Sequence, residues 1–340
     1  MGCWLNGTFY SPLATSNGGC WVCDDYSSYT PGWSNEPNGT SCGADDAECV
    51  GGTCTGIASF LVGTGPSAIT FDGTNIWVAN GGDYESGRPG DTVTKLLAST
   101  GARVGNYTVG TQPMGLAFDG TNIWVANTGS NSVTKLLAST GAAVGTYAVG
   151  AGPYGLTFDG TDIWVANAGG NSVTKLLAST GATVGTYTVG TQPMAIAFDG
   201  TDIWVANAVS NNVTELVASS GATVGTYAAG TFPDAITVQP QYGGSYIWVA
   251  NGDSDNVMTF PSWEPAPASV SVGSGPDGIT FDGTDIWVAN GGTNSVTKIS
   301  GSTVVGTYTV GSQPKGIAFD GSNIWVANNG GNTVSKLPDY

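Results

Sequence analysis

The stretch Thr111-Gln-Pro-Met-Gly-Leu-Ala-Phe-Asp-Gly-Thr-Asn-Ile-Trp-Val-Ala-Asn127 decides the fold, because its string Ile-Trp-Val-Ala-Asn occurs seven times. The tryptophans are Trp77, Trp124, Trp164, Trp204, Trp248, Trp287 and Trp325, spaced 47, 40, 40, 44, 39 and 38 residues apart. A fixed period near 40 residues marks a repeat architecture, which must be read before any single element. Within 111–150 four β-prone runs are separated by turn residues: Gly115–Phe118, Asn122–Ala126, Ser132–Ala138 and Ala143–Val149. Asp119-Gly120 supplies the first turn. The second run is apolar on both alternating faces, Ile123 and Val125 against Trp124 and Ala126, so it must be covered on both sides. No helical periodicity accompanies it.

Four antiparallel strands in about 40 residues, stacked sheet on sheet, make a β-propeller blade. The expected fold is therefore all-β, a seven-bladed propeller over residues 56–340. The last unit stops after Val334–Leu337, and Ile57–Val62 aligns with the fourth strand of other units. Ile57–Val62 is thus expected to close the last blade and remove the open seam.

The remaining residues, 1–55, differ in kind. All six cysteines lie there: Cys3, Cys20, Cys23, Cys42, Cys49 and Cys54. The segment is polar and turn-rich and has too few aliphatic residues to fold without staples. The expectation is a small disulfide-stapled module, with a metal site built on Cys20 and Cys23 as the rival reading. Disulfides imply an oxidising, extracellular or cell-surface setting. No charged and apolar leader precedes the module, so a mature form is expected.

Composition narrows the function. Eight Lys+Arg against 25 Asp+Glu give a net charge of −17, which offers no footprint for nucleic acid. No apolar stretch is long enough to insert in a membrane. There is no histidine, which removes Ser-His-Asp, Cys-His and imidazole general-base chemistry. Glutamates 36, 48, 85, 215 and 264 do not recur at equivalent positions. The chain is accordingly expected not to be an enzyme.

The Pro-x-x-Ile-x-Phe-Asp-Gly-x-x-Ile-Trp-Val-Ala-Asn unit resembles the YVTN/NHL-type propeller repeat over residues 57–340. That resemblance implies extracellular, periplasmic or cell-surface binding and structural roles. The streptogramin lyases, enzymes of similar repeat, use histidine, glutamate and magnesium, and this chain has no histidine to place there. Pro37-Asn-Gly-Thr-Ser-Cys42, followed by Cys49 and Cys54, is similar to cysteine-rich modules of secreted bacterial proteins.

Function on a repeat scaffold is sought where the repeat breaks. The residue after the repeated proline reads Ser67, Met114, Tyr154, Met194, Asp234, Asp277 and Lys315 around the seven blades. These residues begin the innermost strands, so they should face the mouth of the axial channel and suit a small ligand or a peptide end. Tyr84 and Arg88 in the blade-one insertion, and Tyr242 and Trp263 in blade five, are further contact candidates. The repeated Asn and Asp-Gly residues are read as turn formers, the aspartates as solvated loop tips.

Asp253-Ser-Asp255-Asn256 and Asp45-Asp46-Ala-Glu48 resemble pieces of calcium loops without the full ligand set, so calcium is the one cofactor left open. Asn6, Asn38, Asn106 and Asn212 are glycosylation sequons. The leading expectation is a binding or adhesion module recognising an extracellular glycan or protein. The alternative is a structural subunit of a filament, coat or matrix. There the 1–55 module would reach other copies of the chain through Trp4, Trp21 and Trp33. A metal-dependent lyase-like enzyme ranks below both.

Overall fold

The computed structural model describes residues 57–83, 87–262 and 267–338, together with the backbone of short strands within 1–56. The chain divides into two compact units, Met1–Ser59 with Lys336–Tyr340, and Phe60–Ser335. In the first, Cys3–Leu5 pairs antiparallel with Thr8–Tyr10, and Trp21–Cys23 with Trp33–Asn35. The side chains of the six cysteines, with the disulfide and metal readings placed on them, lie outside the described residues, as do Asn6, Asn38 and the 45–48 side chains.

The second unit is a seven-bladed β-propeller. Six four-stranded sheets follow one another, each with its strands in chain order from the inside out. Blade 2 is typical, with Pro113–Phe118, Asn122–Asn127, Ser132–Leu137 and Ala143–Ala148. The first strands of successive blades pack in a closed ring, the seventh (Pro314–Phe319) against the first (Pro66–Phe71). In the seventh sheet Thr53–Leu61 holds the fourth position, beside Thr333–Pro338. Val62 N–H donates to Asn332 O at 3.0 Å, and Gly65 N–H to Asn332 Oδ1 at 2.8 Å.

The double-sided second strand accounts for the stacking. Trp124, Ala126 and Val133 of blade 2 form one core with Leu156, Ile163, Val165 and Leu176 of blade 3. The same arrangement joins Trp325 and Val334 of blade 7 to Ile69, Ile76, Val78 and Leu96 of blade 1. Each core thus lies between blades. Burying a side chain of this size contributes about 1.5–3 kcal/mol, so the ring is held by repetition.

Trp77, Trp124, Trp164 and Trp287 are each gripped three ways. The ring packs on an outer-strand tyrosine, Trp124 on Tyr147 at 5.6 Å between centroids. Phe60 takes the tyrosine's place for Trp325, also at 5.6 Å. A lysine directly opposite on the third strand sits over the indole: Lys95, Lys135, Lys175 and Lys298 lie 4.8–4.9 Å from Trp77, Trp124, Trp164 and Trp287. These ammonium groups are buried. Lys95, Lys135 and Lys175 donate to a carbonyl of the next blade, at 2.7–2.8 Å to Ala138, Ala178 and Ala218.

The Asp-Gly aspartates do more than turn the chain. Asp119 Oδ1 accepts from Thr121 and Asn122 N–H, while Oδ2 accepts the Trp124 indole N–H at 2.8 Å. Burial would raise the Asp119 carboxyl, but the bonds from Trp124, Asn122 and Thr121 outweigh it and hold it below its ordinary value. The expectation of solvated tips is therefore corrected: these carboxylates are partly buried clamps. The repeated asparagines are also structural. Asn127 is buried, accepts from Gly110 N–H at 3.1 Å and donates to Thr134 Oγ1 at 2.9 Å.

Candidate functional site at the axial mouth

The start of each innermost strand is fixed by the proline before it, so the residue that follows is held at the axis. Two groups of these residues behave differently. Ser67 is small and buried, and its hydroxyl donates to Pro113 O at 2.9 Å, tying blade 1 to blade 2. Met194 is buried, and Met114, Tyr154, Asp234, Asp277 and Lys315 are half-buried.

Asp234 and Asp277 come from adjacent blades, at the second position of Pro233–Gln241 and Pro276–Phe281. Burial, with the hydrogen bond and charge of Asp277, holds the Asp234 carboxyl well above its ordinary value. Lys315 pulls the other way, and Asp253 pushes it further up. Tyr154 lies near both carboxylates. Burial and those charges raise its hydroxyl, so it stays protonated at neutral pH.

A cavity of about 820 Å3 opens beside this group. Met114, Asp277 and Lys315 line it; Tyr154, Met194 and Asp234 do not. It opens over blades 6, 7, 1 and 2, where loop glycines such as Gly81 and Gly291 leave room. A Cβ at Gly291 would lie 2.3 Å from Asp277 Oδ2, so only glycine lets that carboxylate stand where it does. The rest of the lining is uncharged and polar, including Gln112, Gln313 and Asn329. Sequence reasoning missed these three.

Gln112 and Gln313 carry a signal of their own. The residue before each repeated proline lies in the left-handed region. Blades 1, 3 and 6 use Gly65, Gly152 and Gly275 there, at φ 59–60°. Gln112 and Gln313 adopt φ 56° and 51° with full side chains, at a cost on the order of 1 kcal/mol each.

Of the loop candidates, only Tyr242 is described with its side chain, and it is not at the mouth. Tyr242 is fully exposed at the turn joining Pro233–Gln241 to Gly244–Asn251, at the opposite end of the strand from Asp234. Tyr84, Trp263 and the Arg88 side chain lie outside the described residues. Asp255 Oδ1 accepts from Gly275 N–H at 3.0 Å. Among the described residues no group of three acidic or cysteine side chains is placed to hold a metal. Asn106 is exposed on an outer strand, whereas Asn212 Oδ1 accepts a 2.9 Å bond from Asn207.

No family model matches the chain, and no curated protein is similar to it in sequence. Solved structures share its fold. Hydrazine synthase from Kuenenia stuttgartiensis matches with a TM-score of 0.71 and 19% identity, covering 81% of this chain and 96% of that one. Virginiamycin B lyase from Staphylococcus aureus matches at 0.70 and 19%, covering 84% and 99%. A streptogramin B lyase matches at 0.69 and 22%, covering 83% and 96%. Identities this low are a likeness of fold. They nonetheless correct the expectation that the chain is not an enzyme. Propellers matched over four-fifths of its length are named as enzymes, so the missing histidine excludes His-based chemistry and not catalysis as such.

Proposed function

We propose that this chain is an extracellular or cell-surface propeller that binds a small organic ligand, or one end of a larger one, at the axial mouth. The observation that carries the reading is the cavity beside Asp277, Lys315 and Met114, where the repeat breaks and two glutamines keep side chains at strained positions. The setting rests on the six cysteines of the N-terminal segment, read as three disulfides. Attachment to a glycan or protein surface is supported by the carboxamides of Gln112, Gln313 and Asn329 in the lining. The test is binding to glycan and peptide arrays by the native chain and by a Met114→Ala/Lys315→Ala double variant of unchanged melting temperature. Signal that the double variant loses supports the site. Signal that survives it, or no signal from the native chain, overturns it.

A second reading, assembly into a filament or coat, is favoured by the outer strands. Ala143–Ala148, Thr183–Thr188 and Thr223–Ala228 carry no charge, and Val144, Val184 and Val224 are each 54% exposed on them. Uncharged edges lack the usual guard against strand addition. Electron microscopy of the purified protein separates rings or filaments from single particles.

A further inference from the structure

We infer that the axial mouth takes a neutral saccharide, held through its hydroxyl groups by the carboxamides of Gln112, Gln313 and Asn329 and by Asp277 and Lys315. This rests on the ligand-binding reading of the mouth and gives that ligand its chemistry.

The uncharged polar side chains of the cavity are those of Gln112, Gln313, Asn329, Asn332, Ser312 and Thr64. Carboxamides and hydroxyls each both donate and accept hydrogen bonds. The ligand groups that match such a lining are those that also do both, and a sugar carries a hydroxyl on most of its carbons. Gln112 and Gln313 make no side-chain hydrogen bond among the described residues, although each is held in a strained backbone conformation. Their carboxamides are therefore free for a ligand. Asn329 donates from Nδ2 to Pro66 O at 3.2 Å, which fixes its carboxamide and leaves Oδ1 to accept from a hydroxyl.

One carboxylate and one ammonium line the same cavity from neighbouring blades, Asp277 in Pro276–Phe281 and Lys315 in Pro314–Phe319. They form no ion pair with each other among the described residues. Their charges balance, so the lining favours neither an anion nor a cation, yet each bonds a hydroxyl more strongly than a neutral partner does. Apolar contact in the lining comes from one side chain, Met114. A Cβ at Gly81 would lie 2.9 Å from Met114 Sδ, so glycine there lets the thioether lie across the blade 1 loop. An apolar ligand, or the side chains of a peptide, would need a mainly hydrophobic lining. One apolar strip beside many polar groups suits a sugar ring, whose C–H face is bordered by hydroxyls. The volume of about 820 Å3 is enough for a short oligosaccharide.

The experiment is calorimetric titration of the full chain with neutral trisaccharides of glucose, mannose and N-acetylglucosamine. Each is run beside its O-methylated form, with trigalacturonate and triglycine as charged comparisons. The expected result is binding of at least one neutral trisaccharide, with its O-methylated form at least about tenfold weaker, because methylation removes the O–H donors. Affinity should change less than about twofold between about 20 mM and 500 mM salt, because a neutral ligand brings no charge to be screened. Lys315→Met should weaken binding about tenfold and Gln112→Gly about threefold or more. Gln192→Gly, outside the cavity, should leave it unchanged. No binding of any neutral trisaccharide, equal binding of the O-methylated form, or binding of a charged probe about tenfold tighter than every neutral one overturns the inference. Binding of triglycine but no sugar, lost in the Met114→Ala/Lys315→Ala variant, leaves the ligand site standing and removes only the saccharide.

Discussion

Glu215 accepts a 2.6 Å hydrogen bond from the Tyr227 hydroxyl at the position where four other blades bury a lysine over tryptophan. It lies directly opposite Trp204, as Lys175 lies opposite Trp164. In blades 3 and 6 the lysine also pairs with an aspartate, Lys175 with Asp162 at 3.0 Å and Lys298 with Asp285 at 3.4 Å. Blade 4 keeps that aspartate as Asp202 but faces it with another acid. Burial, and the charges of Asp202 and Asp199, push the Glu215 carboxyl up despite the bond from Tyr227. Tyr227 is pushed up to about 12 by burial and by Glu215.

Glu215→Lys should therefore stabilise the propeller. The new ammonium would cover Trp204 and meet Asp202, for a gain of about 1–2 kcal/mol, the range of a desolvated cation–π pair. The urea midpoint at neutral pH should rise; an unchanged or lower midpoint contradicts the account. Glu215→Gln isolates the charge. A carboxyl raised in the folded state favours folding below its unfolded value and loses that contribution as pH rises through the folded one. The native chain should match Glu215→Gln near pH 4 and fall behind it toward pH 7.

How far the sequence reveals this fold depends on the residue. The blade was legible because Ile123 to Ala126 are apolar on both faces, and only stacked sheets cover both. The buried lysines were not, because periodicity marks Lys135 as a polar residue on a strand and cannot say that an indole and the next blade's Ala178 carbonyl will satisfy it. At the mouth, Asp277 and Lys315 were visible as breaks in the repeat. Gln112 and Gln313 were not, because their meaning lies in a backbone angle. The effect of Asp277 on the Asp234 carboxyl needed two blades brought side by side.

The clamp between Asp119 and Trp124 gives a separate test. Trp124→Phe keeps the ring on Tyr147 but removes the donor that reaches Asp119 Oδ2. Leaving that partly buried acceptor without its bond should cost about 1–3 kcal/mol. Asp119 is held below its ordinary value of 3.8, so its contribution is present above that pH and lost below it. The difference between native and variant melting temperatures should then shrink in acid below about pH 3.8. A difference independent of pH would assign the loss to packing alone. Blade 5 is the internal comparison, since Trp248 donates there to the uncharged Gln239 at 2.9 Å.

The strained glutamines allow stability and binding to be separated within one repeat position. Gln112 and Gln192 share a φ of 56°, but only Gln112 lines the cavity. Replacing either by glycine relieves about 1–2 kcal/mol of left-handed strain. The more flexible unfolded chain takes back about 0.4–1 kcal/mol. Both variants should gain about 0.5 kcal/mol or somewhat more, seen as a small rise in the urea midpoint. Binding at the mouth should divide them: Gln192→Gly should keep the native array signal, and Gln112→Gly should weaken it, because a carboxamide that the cavity presents to its ligand is gone. If both variants bind as the native chain does, the glutamine at 112 has no part in the site, and its strained conformation is a property of the turn alone.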